Sequence, residues 1–231
     1  MNQSVPQIHA RESVDSVVIR PYGPTDRNAV RQICCDTADR GDPVENFYPD
    51  REVFADLLTA YYTDFEPEST WVAEAGGEVV GYVSGCLKPA RYARIMACVV
   101  GPRTILRALV RGNIGKPLAR LFVRSNFRCW VRYGLSKGID HRAYPGHLHV
   151  NLRAGYRGRR VGPRLVASFC DYAAASHVRG ITANVRDDNA PAKRMFEKLG
   201  FTALLRRPIF TPGGAGAAVV YSVVYGKTLV P

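Results

Sequence analysis

The stretch from His147 to Phe201 constrains the fold more than any other part of the chain. His147 to Leu152 (HLHVNL) reads as a strand, Arg153 to Arg160 as a basic turn, and Pro163 to Ser176 as an amphipathic helix with Leu165, Val166 and Phe169 inward. After Gly180, Ile181 to Val185 reads as the next strand. Ala190 to Leu199 reads as a short helix stopped by Gly200, where a positive φ is wanted. A strand, a glycine-bearing basic turn and a helix N-terminus together form an anion cradle, because the amides of the first helical turn point outward unpaired and the macrodipole adds positive potential. Pro163 suits such a start, since its missing N–H is harmless there. The turn is neither a P-loop, as no Gly-Lys-Ser/Thr follows, nor a GxGxxG fingerprint.

The rest of the chain supplies the companions of this unit. Val17 to Arg20 and the pair Trp71–Glu74 and Val79–Val83 read as strands, the pair joined by the hairpin signal Ala75-Gly76-Gly77-Glu78. Thr25 is expected to cap a helix whose apolar stripe is Ala29, Val30, Ile33 and Cys34, and Val53 to Tyr62 reads as a second helix. Phe201–Leu205 and Ala217–Tyr225 read as closing strands, with Pro212-Gly213-Gly214 between them. With 231 residues and 46% hydrophobic composition, one domain spanning 1–231 with a real core is expected, and global disorder is excluded. Residues 1–16 read as a flexible tail without a secretory signal, and no apolar run approaches 18 residues, so a cytoplasmic protein is expected. Six cysteines without a CxxC pair read as buried free thiols, with no metal site.

Charge is unevenly placed. Residues 1–78 hold 15 acids and 6 bases, whereas residues 79–139 hold 12 bases and no acid, which equals the net charge of +12. Within the 90–139 insertion, Arg103, Arg107 and Arg111, and then Lys116, Arg120, Arg124, Arg128 and Arg132, recur every four residues, with Leu118, Leu121, Phe122 and Trp130 between them. This is helical spacing with a basic stripe and an apolar side. Two accounts fit: the apolar side rests on an anionic membrane surface, or it packs on the core or a second subunit in a homodimer, leaving the arginines solvated. Packing is preferred, because a large unpacked apolar patch would otherwise be exposed. A nucleic-acid partner is disfavoured: the stripe lacks interleaved aromatics on its own face, and no helix-turn-helix or RNP signature is present.

Arg157-Gly158-Arg159-Arg160-Val161-Gly162 resembles the R/Q-x-x-G-x-G/A pyrophosphate loop of the GNAT superfamily of acyl-CoA-dependent acyltransferases. Thirty-two residues after Arg157, the stretch from Asn189 to Phe201 (NAPAKRMFEKLGF) resembles the family's N-x-x-A-x-x-x-Y-x-x-x-G-F segment. The resemblance covers about residues 17–89 and 140–225. Ala143 to His149 (AYPGHLH), with Ile19-Arg20-Pro21-Tyr22 and Phe65-Glu66-Pro67-Glu68, is also similar to bacterial GNAT proteins related to the acetyltransferase-like domain of O-GlcNAc hydrolases. The His-x-His element resembles arylalkylamine N-acetyltransferases.

The resemblance implies an α/β (α+β) GNAT fold: a central mixed, twisted sheet of six to seven strands flanked by helices, interrupted by the basic helical insertion. It implies acetyl-CoA as co-substrate, held by backbone groups of Val150, Asn151 and Leu152 and by the loop Arg157, Gly158, Arg159, Arg160, Val161 and Gly162. Asn189, Ala192 and Phe196 would flank the cofactor arm and thioester. Two departures stand out. Arg160 replaces the first loop glycine, at a cost of about 1 kcal/mol if φ is positive there. Phe196 replaces a tyrosine that in the family protonates the leaving thiolate, and phenylalanine cannot donate a proton.

The activity so implied is acetyl transfer to an amine of a small molecule, amino sugar or peptide; the alternative is a non-catalytic acyl-CoA-binding or membrane-surface module. Deprotonating an ammonium acceptor calls for a base. His147 and His149, alternating onto one strand face, are the candidates, with an ascending pH limb expected near pH 6–7. Asp36, Asp39 and Asp42 are weaker candidates for holding the amine, since a polar loop carries acids by default.

Overall fold

A computed structural model describes residues 17–39, 41–133, 139–213 and 216–229. The expected tail 1–16 lies outside the described residues. Seven strands form one sheet: β1 (Val18–Pro21), β2 (Thr70–Ala75), β3 (Glu78–Cys86), β4 (Gly146–Leu152), β5 (Gly180–Arg186), β6 (Thr202–Gly213) and β7 (Gly216–Thr228). Their order is β1-β2-β3-β4-β5-β7-β6, and the only parallel pair in it is β4 with β5. That pair is joined through α6 (Val161–Ala175), as a parallel crossover requires. β2 and β3 meet at Gly76 (φ 58°) and Gly77 (φ 81°), two left-handed positions in succession that match the twist of a tight hairpin.

Helices cover both faces. On one, Leu165, Val166 and Phe169 of α6 and Phe196 of α7 (Ala190–Lys198) pack on Val83, Leu148, Ile181, Ala183 and Tyr225. On the other, α1 (Arg27–Asp36) and α2 (Arg51–Asp64) set Val30, Ile33, Cys34, Val53 and Phe54 against Val72 and Tyr82. α1 begins after a 3-10 turn, Pro24–Asp26, so Thr25 is not its cap. Asp26 takes the cap position with its side chain turned to Arg20 and the Gly23 amide, which moves the helix start one residue on.

Other boundaries also differ from expectation. α6 starts at Val161, with Pro163 as its third residue, a position whose N–H would have no intrahelical acceptor anyway. β6 runs well beyond Leu205 to Gly213, and β7 starts at Gly216 and runs past Tyr225 to Thr228. Pro208 lies within β6 because this is an edge strand, where proline removes no needed donor. Cys34, Cys35, Cys86 and Cys170 are buried, and burial pushes their thiols up to about 11, 12, 12 and 11, whereas Cys98 is exposed.

The insertion folds as α3 (Pro89–Ile95), a wider π-helical turn Met96–Val100, α4 (Gly101–Val110) and α5 (Pro117–Tyr133). Acids of α2 anchor it. Asp50 caps α2 by accepting from the Val53 amide at 3.1 Å, and its second oxygen accepts from Arg111 Nε at 2.7 Å and from the Asn113 amide group. Asp56 is shared by Arg31 (2.5 Å) and Arg107. Lys88 pairs with Glu68 at 3.5 Å. The acid-rich first third of the chain therefore offsets part of the basic insertion's self-repulsion.

Two stability outcomes follow from these contacts. A Cβ added at Gly85 would stand 2.2 Å from the Phe169 ring, whereas at Gly155 it would meet nothing within 4 Å. Thermal melts should show Gly85→Ala losing about 1–3 kcal/mol while Gly155→Ala stays near the parent; equal melting temperatures would refute that packing. Burial opposes ionisation of Asp50, but the Val53 amide and Arg111 outweigh it and hold its carboxyl below the ordinary range. The stability it contributes is thus complete above the unfolded carboxylate pKa and is lost as pH falls through the depressed folded value. Asp50→Ala should cost about 1 kcal/mol for the cap plus about 1–3 kcal/mol for the stranded Asn113, and should flatten the acid limb of the stability–pH curve.

Candidate active site

The site forms where β4 leaves β5. β4 pairs with β3 along its length, up to Leu152 against Gly81, but its partnership with β5 covers only Gly146–Ile181, His147–Thr182 and Leu148–Ala183. Beyond Leu148 the two parallel strands diverge, and the β5-facing backbone of the Val150–Leu152 segment is left without a strand partner. A row of backbone donors and acceptors so exposed can bond an extended ligand arm as a missing strand would.

At the end of β4 the chain turns through Ala154–Tyr156 into the basic loop. Gly158 (φ 76°) and Arg160 (φ 60°) are both left-handed, and Arg160 stands at the N-cap of α6 without giving it a side-chain cap. The first amides of α6 are therefore free of intrahelical acceptors and aim out of the helix end, in a loop that carries Arg157, Arg159 and Arg160 at the surface. The cost expected for Arg160 is real, since its backbone is in the left-handed region. Gly162 is buried at the start of α6, and a Cβ there would stand 3.1 Å from Met195 Sδ of α7, so a larger residue would push the two helices apart. Arg157 does not face the loop: its Nε donates to the Leu152 carbonyl at 3.1 Å and its guanidinium lies over Gly41. It braces the strand end.

His147, His149 and Asn151 alternate onto the α1–α2 face of β4. The hydroxyl of Tyr62 lies 2.7 Å from His147 Nε2, and the Tyr92 ring meets His147 edge-on at 4.9 Å. His149 stands 5.7 Å from His147 and 5.8 Å from Tyr62, centroid to centroid, and Asn151 Nδ2 donates to Thr37 Oγ1 at 2.6 Å. Burial pushes the His147 imidazole down to about 3, assisted by the neighbouring His149. Desolvation lowers His149 as well, although the residue is exposed at the surface. Both rings are neutral at pH 7, so a histidine limb belongs below the pH 6–7 range that an ordinary imidazole would give.

Asn189 caps α7, its Oδ1 accepting from the Ala192 amide at 3.2 Å, which leaves Nδ2 for another partner. Ala192 packs partly buried behind it. Phe196 is 3% exposed, edge-on to Phe201 at 5.0 Å and stacked on Tyr225 at 6.2 Å, so it belongs to the core. The loop acids are engaged within the fold: Asp36 pairs with Arg51, and Asp39 with Arg186 at 3.2 Å. Tyr62 and Tyr92 escaped the sequence reading. Tyr62 sits at the end of a helix read only for its apolar side, and Tyr92 in an insertion read for its charge.

This geometry has relatives among solved structures. One, named SsHAT, is 27% identical, with a TM-score of 0.69, over 94% of this chain and 100% of that one. An N-acetyltransferase from Staphylococcus aureus Mu50 is 15% identical, with a TM-score of 0.57, over 94% of this chain and 100% of that one. The yncA protein from Salmonella typhimurium, solved with its cofactor acetyl-CoA, is 15% identical, with a TM-score of 0.57, over 94% of this chain and 96% of its own. Residues 130–201, which hold β4, the basic loop, α6, β5 and α7, match the Acetyltransferase (GNAT) family. With the parted β4–β5 pair and the uncapped loop–helix junction in place, residues 130–201 match the GNAT acetyltransferase family and the chain as a whole shares the fold of these acetyltransferase structures.

Proposed function

We propose that the protein transfers the acetyl group of acetyl-CoA to an amine of a small molecule, amino sugar or peptide, by direct attack of the nitrogen on the thioester carbonyl. The observation that carries this reading is the alignment of three features: the open backbone of Val150–Leu152, the loop amides at Val161 and Gly162, and the ring of His149 on the same strand. Acetyl-CoA supplies the activated acetyl carbon. The unpaired edge of β4 holds the extended arm, while the α6 N-terminus, with Arg159 and Arg160, faces the phosphates. Asn189 Nδ2 is the free donor at the mouth of α7.

His149 is the stronger candidate for the proton acceptor. A His147 ring whose pKa is near 3 is a weak base toward an ammonium near 10, and its Nε2 is already engaged by Tyr62. A Tyr62 hydroxyl donating to Nε2 places the ring proton of His147 on Nδ1, which fixes the aromatic wall beside His149. As the N–C bond forms and the C–S bond breaks, the proton from nitrogen passes to His149, directly or through one water, and the sulfur departs. A thiol with a pKa near 8.5 leaves with little assistance, so the lack of a phenol on α7 is tolerable.

Two measurements test this. In Arg160→Gly, calorimetry should show acetyl-CoA binding weakened about fivefold or more, with the deficit shrinking as salt rises, while the melting temperature holds or rises because the left-handed strain of about 1 kcal/mol is relieved. Unchanged affinity would remove Arg160 from the cradle. With an amine acceptor, His149→Ala should lower kcat by about 10²–10⁴-fold without altering acetyl-CoA affinity, and the ascending limb of the parent's pH–rate profile should lie below that of an ordinary imidazole and disappear in the variant. An unaffected kcat, or thioester cleavage by no amine tested, would return the protein to the alternative of a binding module.

A further inference from the structure

α4 is built the wrong way round for a packed surface helix. The residues it buries are Thr104 and Ala108, while Ile105, Leu106, Leu109 and Val110 are 59%, 61%, 55% and 80% exposed. At 100° per residue those four fill one continuous sector of about 140°, with Arg103 at its border. The neighbouring α5 repeats the pattern: Val123, Phe127 and Val131 follow at four-residue intervals on its exposed side, with Arg120 and Arg124 interleaved and Leu121 beside them. Eight of the eleven exposed large apolar residues among those described lie on these two helices. Packing, the preferred expectation for this insertion, therefore holds for its inner side, at Tyr92, Ile95, Met96, Thr104, Ala108 and Ala119 and where α5 lies along β6, but not for these outward residues. The side chains of Phe122 and Trp130, assigned to the apolar side from sequence, lie outside the described residues.

The charges divide in the same way. Arg107 and Arg111, on the inner flank, are tied to Asp56 and Asp50. No ion pair joins Arg103, Lys116, Arg120 or Arg124 to another described residue, and all four are exposed. An apolar sector bordered by unneutralised cations calls for a partner that is apolar within and anionic at its surface. A second copy docked face to face would set cations against cations, because residues 79–139 contain no acid. A nucleic acid would leave the apolar sector uncovered. An anionic lipid bilayer satisfies both requirements: the leucines, isoleucine and valines enter the boundary between headgroups and acyl chains, and the arginines remain at the phosphates. No helix among the described residues is long and apolar enough to cross a membrane, so the contact is peripheral.

We infer that the outer face of α4 and α5 is a docking surface for anionic lipid bilayers. It holds the acetyltransferase site beside the membrane, because α3, which begins the same helical insertion, carries Tyr92 against His147.

The test is sedimentation of the full chain with vesicles of phosphatidylcholine alone and of phosphatidylcholine with phosphatidylglycerol, at low and high salt. Binding is expected only to the anionic vesicles. Arg103→Gln/Arg120→Gln/Arg124→Gln should weaken it about fivefold per arginine, on the order of a hundredfold together. Leu106→Glu/Val110→Glu should abolish it. All five positions are exposed, so both variants should keep the parent's melting temperature and acetyl-CoA affinity. Absence of binding, or equal binding to neutral vesicles, would overturn the inference. So would a dimer of the parent in analytical ultracentrifugation that Leu106→Glu/Val110→Glu dissociates, since the face would then be covered by a second copy. The proposed acetyl transfer stands or falls separately, on acetyl-CoA binding and amine-dependent turnover.

Discussion

The parting of β4 from β5 after Leu148 is the constraint on which the rest of the site depends. Backbone groups buried in a sheet must be paired, so a parallel pair that stops after three residues leaves an edge in the middle of the molecule. The gap persists because each strand is secured on its other side: β4 by β3 through Leu152, and β5 by β7 from Gly180 to Arg186. α6 then leaves the end of β4 at an angle that sets its free amides at the head of the same opening. The open strand edge, the free helix end and the histidine strand are three consequences of one interrupted ladder.

The second organising feature is the division of polar labour on the opposite face. Glu66, 1% exposed, accepts from the Leu87 amide at 2.9 Å and from the Tyr61 hydroxyl at 2.5 Å, fixing the corner where β3 gives way to the insertion. From that corner α3 carries Tyr92 back over the histidines. The insertion is thus part of the wall of the active cleft at its beginning and an outward-facing apolar and cationic surface further on. Its anchors are acids of α2, so the charge imbalance between the first third of the chain and the insertion is partly an internal complementarity.

Histidine chemistry in the cleft is governed by burial more than by partners. Desolvation is the leading cause of the lowered pKa at both His147 and His149. Both therefore stay neutral through the physiological range, and what distinguishes them is access: His147 is half-buried and occupied by Tyr62, whereas His149 is exposed.

Much of this was legible in the sequence. The period of the apolar residues marks β4, α6, β5 and α7, and Gly200, at φ 81°, ends its helix as read. The two motifs place the loop and its glycine, because local turn geometry and a free helix end are written in consecutive residues. Other features are long-range. Phe196 reads as a flank of the cofactor site, and its burial in the core comes from the stacking of α7 on β7, which the sequence does not show. Asp36 and Asp39 read as open carboxylates and prove to be paired with Arg51 and Arg186, residues 15 and 147 positions away. Tyr62, 85 residues before His147, becomes its partner only when α2 crosses β4. By itself, the sequence determined which segments could bind an anion and present imidazoles, since those properties reside in residue type and spacing. The tertiary structure decided which of these groups are desolvated, which are already paired, and that α4 shows its apolar side outward, because burial and pairing belong to whatever the packed chain brings alongside each residue.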